Sequence, residues 1–151
     1  MEANASRVAG GFQLQVSDML AQAYLRAGRA DRAVGTLDEA LSRGERGGLH
    51  VNDAQLHRRK GEAILMRDSS AIVEAGACFS KAIEIARSQS AKWWELRASV
   101  SLARLLRDSN RRDEARAMLA DIYNWFTEGF DTADLKDGKV LRRNWAEYDF
   151  Q

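Results

Sequence analysis

The stretch Ala33-Val34-Gly35-Thr36-Leu37-Asp38-Glu39-Ala40 decides the fold of this chain. Its skeleton is a small residue, a large apolar residue four positions on, and a small residue three further on. The same skeleton returns as Ala75, Phe79, Ala82 and again as Ala115, Leu119, Ile122, with rows beginning at 33, 75 and 115. Steps of four and three set each trio on one face of a helix. A self-similar unit of this length, written in helical spacing, predicts a helical-hairpin solenoid in which each hairpin buries its apolar face on the next. Such a protein works by presenting a surface.

Outward from these rows, the apolar periodicity predicts seven helices and no strand. The first spans about Phe12 to Ala27, with Val16, Leu20, Ala23, Tyr24 and Ala27 on one face. Gly28 then supplies a left-handed cap. The others are expected near 31–43, 53–67, 70–88, 91–107, 113–126 and 132–145. Proline is absent, so Gly, Asn, Asp and Ser must punctuate the helices, and Gly44 to Gly48 reads as the longest loop. Residues 1–12 read as a flexible lead-in, 13–130 as three hairpins, and 131–151 as a capping helix and tail. The fold class is all-α.

A chain of 151 residues is expected to form one domain. A formal charge of +1 gives no global field toward nucleic acid or a membrane, and no run of apolar residues is long enough to span a bilayer. A single cysteine, Cys78, fits a reducing compartment, and residues 1–11 lack a signal-peptide pattern, so a cytoplasmic location is expected. No phosphate-binding loop, nucleophile elbow or HExxH zinc motif occurs, so no enzyme, cofactor or metal site is expected. His57 lies among arginines without neighbouring ligands. Cys78, next to Phe79, reads as a packed small hydrophobe. Trp93, Trp94 and Trp125 leave two readings open, an aromatic pocket or packing with an end cap, and their helical spacing favours the second.

The residues match a known family pattern. Leu20-Ala21-Gln22-Ala23-Tyr24, Gly28, Ala33, Leu37 and Ala40-Leu41 together resemble a tetratricopeptide repeat. Gly61, Ile64, Ala75, Phe79 and Ala82 resemble a second unit with two extra turn residues, and Leu102, Ala103, Leu106, Ala115 and Leu119 a third. The chain departs from the pattern in longer units, in Lys60 at an apolar position and in Ile122 in place of alanine. A narrower resemblance runs from Leu56 to Leu141, through Leu56-His57-Arg58-Arg59-Lys60-Gly61-Glu62, Trp94-Glu95-Leu96-Arg97-Ala98 and Trp125-Phe126-Thr127-Glu128-Gly129-Phe130-Asp131-Thr132. These strings resemble the C-terminal repeats of bacterial signalling regulators that join a nucleotide-cyclase or DNA-binding output domain to a predicted ATPase.

The tetratricopeptide resemblance implies a concave groove lined by first-helix residues. Mapped onto this chain they are Gln15, Asp18, Gln22 and Leu25, then Gln55, Arg58, Glu62 and Leu65, then Arg97, Val100, Arg104 and Arg107. Gln22, Arg58, Glu62, Arg97, Arg104 and Arg107 are the candidate partner-binding residues. The groove so read is polar at one end and basic at the other, and the basic end suits a carboxylate-bearing or phosphorylated peptide. A solvated charged face is the competing reading of the same arginines. The expected function is a non-enzymatic protein-interaction module of bacterial signalling. The alternative is a self-association segment of a larger cyclase- or ATPase-type regulator, with homodimers forming through apolar edges at Val16, Leu20, Trp145, Tyr148 and Phe150.

Overall fold

The computed structural model describes residues 2–129 and 132–146, with side chains described between 4 and 143. Phe130, Asp131, Tyr148 and Phe150, and the side chain of Trp145, therefore lie outside the described residues. The described residues form seven helices: α1 (Glu2–Arg26), α2 (Ala30–Gly47), α3 (Asp53–Arg67), α4 (Ile72–Ser88), α5 (Lys92–Asp108), α6 (Arg112–Trp125) and α7 (Ala133–Ala146). No strand occurs among the described residues.

Two helix boundaries differ from expectation. Helix α1 begins at Glu2, so the segment read as a lead-in is helical. Helix α2 runs through the glycine cluster to Gly47. Those glycines serve contact and capping and do not form a loop. A Cβ on Gly44 would lie 2.8 Å from the carbonyl oxygen of Leu49, where the chain turns back over the helix. Gly48 takes the left-handed conformation that ends it, with φ of 61°.

One turn closes four of the helices. The backbone N–H of Arg29 bonds to the Tyr24 carbonyl at 2.8 Å, Leu49 to Gly44 at 2.9 Å, and Ala91 to Ala86 and Arg111 to Leu106 at 2.8 Å each. In each the residue before the donor has positive φ: Gly28, Gly48, Ser90 and Asn110. Between α3 and α4 the chain uses a different device. The Asp68 carboxylate accepts from the backbone N–H and hydroxyl of Ser70, closing an Asx turn. That connection, 68–71, is one residue longer than the other two within-pair turns, 27–29 and 109–111, where two extra residues were expected.

The repeated rows are the core. Ala33, Ala75, Ala115 and Leu37 are wholly buried, and Phe79 and Leu119 nearly so. A second row of small residues, Ala21, Gly61 and Ala103, is buried on the odd-numbered helices. Helix α1 is turned relative to expectation: Leu14 and Ala21 face inward, Ala23 and Ala27 outward, and Val16 and Leu20 are exposed. Each helix packs on the next, and α1 also touches α3, α3 touches α5, and α5 touches α7. The even-numbered helices make no such contacts with one another among the described residues. The odd-numbered helices thus form a layer of their own.

Polar ties fix these contacts. Glu95, buried at the start of α5, accepts from Arg87 of α4 and from Lys92, each at 2.8 Å. Burial alone would raise its pKa, but these bonds hold it below the ordinary value. Lys60 reaches Asp38 of α2 at 2.7 Å. Its stem can cover apolar surface while its ammonium is paired, which accounts for a lysine at an apolar position of the pattern.

The contact between α3 and α4 is tightest at Gly61, where an added Cβ would lie 2.6 Å from the ring of the buried Phe79. Gly61→Ala is expected to push that ring aside and destabilise the protein by about 1–3 kcal/mol. Ala75→Leu, in the same interface, should cost a similar amount, about 1–3 kcal/mol. Urea unfolding followed by circular dichroism measures both, and wild-type midpoints would show that the two helices have room to spare.

Candidate functional site

The layer of odd-numbered helices carries a polar cleft of about 220 Å³. Its described lining comes from that layer alone: Gln22 of α1, Arg58 and Arg59 of α3, Arg97, Val100, Ser101 and Arg104 of α5, and Asp134 and Asp137 of α7. Four guanidinium groups converge there, and each has a carboxylate. Arg58 donates from Nε to Gln55 at 3.0 Å and from Nη1 to Glu62 at 2.5 Å. Arg59 pairs through Nε with Asp18 of α1. Arg97 bonds Asp134 at 2.8 Å, and Arg104 bonds Asp137 at 3.1 Å.

Arg58 is a cation held largely away from solvent. Burial pushes its pKa below the ordinary arginine value, Glu62 opposes that shift, and neighbouring Arg59 and Arg97 add to it. The group remains charged at any ordinary pH, so the cost of burying it is met by neighbouring acceptors. The arginine stripe, basic when read along α5 alone, is balanced by carboxylates of α7 that lie 37 and 33 residues further along the chain.

A second cleft, of about 420 Å³, adjoins the first. Leu65 of α3, Ile72 and Phe79 of α4 and Leu105 of α5 give it apolar walls, with Ser69, Ser109 and Asp108 also lining it. Ser101 and Arg104 line both clefts. Glu62 lies at the junction, accepting from Arg58 and from the Ser101 hydroxyl at 3.2 Å.

No family model, curated protein or solved structure matches this chain. Its own geometry therefore carries the functional reading.

Of the residues singled out from sequence, Gln22, Arg58, Arg97 and Arg104 line the polar cleft, and Glu62 lines the apolar one. Arg107 is not among the described lining of either and pairs with Asp108 at 2.8 Å. Sequence reasoning missed Arg59, Ser101, Asp134 and Asp137. Asp134 and Asp137 did leave a signal, since carboxylates three positions apart share a helix face, but the last helix was read only as a cap. The apolar cleft left none, because periodicity marks a face and not a gap between faces.

Trp93 and Trp125 pack about Phe126. Its ring lies 4.8 Å from that of Trp93 and 5.1 Å from that of Trp125, while Trp94 stacks on the Arg97 guanidinium at 5.2 Å. Cys78 is half-buried, and burial raises its thiol pKa, which keeps it protonated and less nucleophilic.

Burial lowers the pKa of His57 from its ordinary value of 6.5, with Asp53 opposing and Lys60 adding to the shift. The folded chain therefore resists a proton that the unfolded chain accepts. Stability is full above the unfolded value and falls as the pH drops below it. Over about pH 7.5 to 5, His57→Gln should lose less stability than wild type, measured as the shift in urea midpoint. Equal losses in the two proteins would mean that His57 titrates as it does in the unfolded chain.

Proposed function

We propose that this chain is a helical-hairpin repeat module of the tetratricopeptide type that binds a segment of another protein on the face of its odd-numbered helices. The observation that carries this reading is the polar cleft. Residues mapped from three separate repeats as groove residues, namely Gln22, Arg58, Arg97 and Arg104, come together there. Contacts between alternate helices on one side only also support a curved stack with the odd-numbered helices inward. The proposed role is non-enzymatic. Its place in bacterial signalling rests on the resemblance of Leu56 to Leu141 alone.

An acidic segment suits this face despite its balanced charge. Arg97 with Asp134, and Arg104 with Asp137, are partly exposed pairs, each worth about 0–1 kcal/mol. A guanidinium has five N–H donors, and among the described residues Arg59, Arg97 and Arg104 each bond a carboxylate through one nitrogen. Further acceptors on a ligand would find donors waiting.

A second reading, self-association, is favoured by one observation. Val8, Phe12, Val16, Met19 and Leu20 of α1 are all exposed, at 44% to 69% of their surface. Spacings of four and three make them one exposed apolar stripe along the helix.

Affinity capture from the native host extract, with wild type and the Arg97→Gln/Arg104→Gln double variant, separates the two readings. Groove binding predicts partners lost by the variant, wild-type capture that weakens as salt rises, and an unchanged helical signal. Equal recovery by both proteins rejects the groove. Self-association predicts a dimer by light scattering that Phe12→Asp dissociates, and a monomer at high concentration rejects it.

A further inference from the structure

The two clefts differ in chemistry and share a wall. On one side of Ser101 and Arg104 stand guanidinium groups with donors to spare. On the other stand Leu65, Ile72, Phe79 and Leu105, which enclose a space within the range of small-ligand pockets. We propose that the two clefts are one bipartite site, whose occupant is a peptide carrying a large apolar side chain beside one or more carboxylates. This inference rests on the odd-helix face being a peptide surface, and it names what that surface selects.

Each half contributes a separate preference. The apolar cleft is walled by side chains of three helices, and Phe79, almost wholly buried, forms part of it. A leucine, methionine or phenylalanine side chain entering it would remove apolar surface from water on both partners. A charged side chain would lose its hydration there, because both carboxylates of the lining are already held, Glu62 by Arg58 and Ser101 and Asp108 by Arg107.

The polar cleft makes the opposite choice. Its most buried charged groups are two adjacent cations, Arg59 and Arg58, and Arg97 is close enough to oppose the charge of Arg58. An incoming carboxylate relieves that crowding, and an incoming ammonium worsens it. Arg104 belongs to both linings, and its bond to Asp137 is an exposed single contact that a ligand carboxylate can share or replace. Because Arg104 is the common wall, the acidic and apolar groups of the ligand must be adjacent. Either group alone fills half of the site.

Selection from a random peptide library displayed on phage, against the whole chain, tests this. The enriched peptides are then measured by fluorescence anisotropy on wild type, Arg104→Gln, Arg97→Gln and Ser69→Phe. Ser69 lines the apolar cleft and is exposed, so a phenylalanine there obstructs the cleft without entering the core. The expected enrichment is leucine, methionine or phenylalanine next to aspartate or glutamate. Replacing either group, by alanine or by the amide, should weaken binding about tenfold or more. Arg104→Gln should make binding indifferent to the acidic residue, and Ser69→Phe should make it indifferent to the apolar one. Peptides that lose affinity on Arg97→Gln but lack the paired pattern overturn this inference and leave the peptide-binding reading in place. No enrichment, or peptides that bind every variant equally, overturns both.

Discussion

The contact on which the rest of this structure depends is that of the Phe79 ring with the bare backbone of Gly61. A single methyl group there would lie 2.6 Å from the ring, so α3 and α4 hold their separation only because position 61 has no side chain. Packing at that distance fixes the rotation of α3 about its axis. Arg58 and Glu62, three residues before and one after Gly61, are thereby turned toward α5 and the odd-helix face. The same contact places Phe79 in the wall of the apolar cleft. One small residue thus sets the core, the polar face and the hollow beside it.

Helix number and the buried rows were legible in the chain because they are properties of a single helix. A trio such as Ala75, Phe79 and Ala82 states its own period, and close packing of the hairpins follows from the size of its residues. The ends were less legible. Gly44 and Gly48 look alike in sequence, yet one permits a close approach of backbone and the other a left-handed turn. Nothing local distinguishes these uses, so a run of helix was read as loop. At α1 the apolar residues outnumber the inward positions, and only the packing of α2 and α3 decides that Leu14 faces in and Phe12 out.

The site divides in the same way. Arg58, Arg97 and Arg104 were singled out because each was mapped to the groove-facing side of a first helix, and all three line the polar cleft. The carboxylates that pair with Arg97 and Arg104 were not, because these ion pairs join residues with no sequence relation. Asp18 belongs to α1 and Arg59 to α3, while Asp134 and Asp137 come from the last helix and neutralise a stripe that looked basic by itself. A charge pattern along one helix is therefore a poor guide to the potential of a face built from four.

The place of α7 gives the cleft an uneven durability. Two walls, α3 and α5, belong to helices with neighbours on both sides, and α1 packs on α2 and α3. The fourth belongs to a helix that rests only on α5 and α6 among the described elements, tied by buried Leu135 and Leu141 and by two ion pairs open to solvent. An element held by so few partners opens at a lower cost in free energy than helices packed on both sides. Ionic strength then acts on the shape of the cleft as well as on its charge. When α7 lifts, the arginines of α5 lose their internal counter-ions, and the enclosed cleft becomes an open cationic ledge.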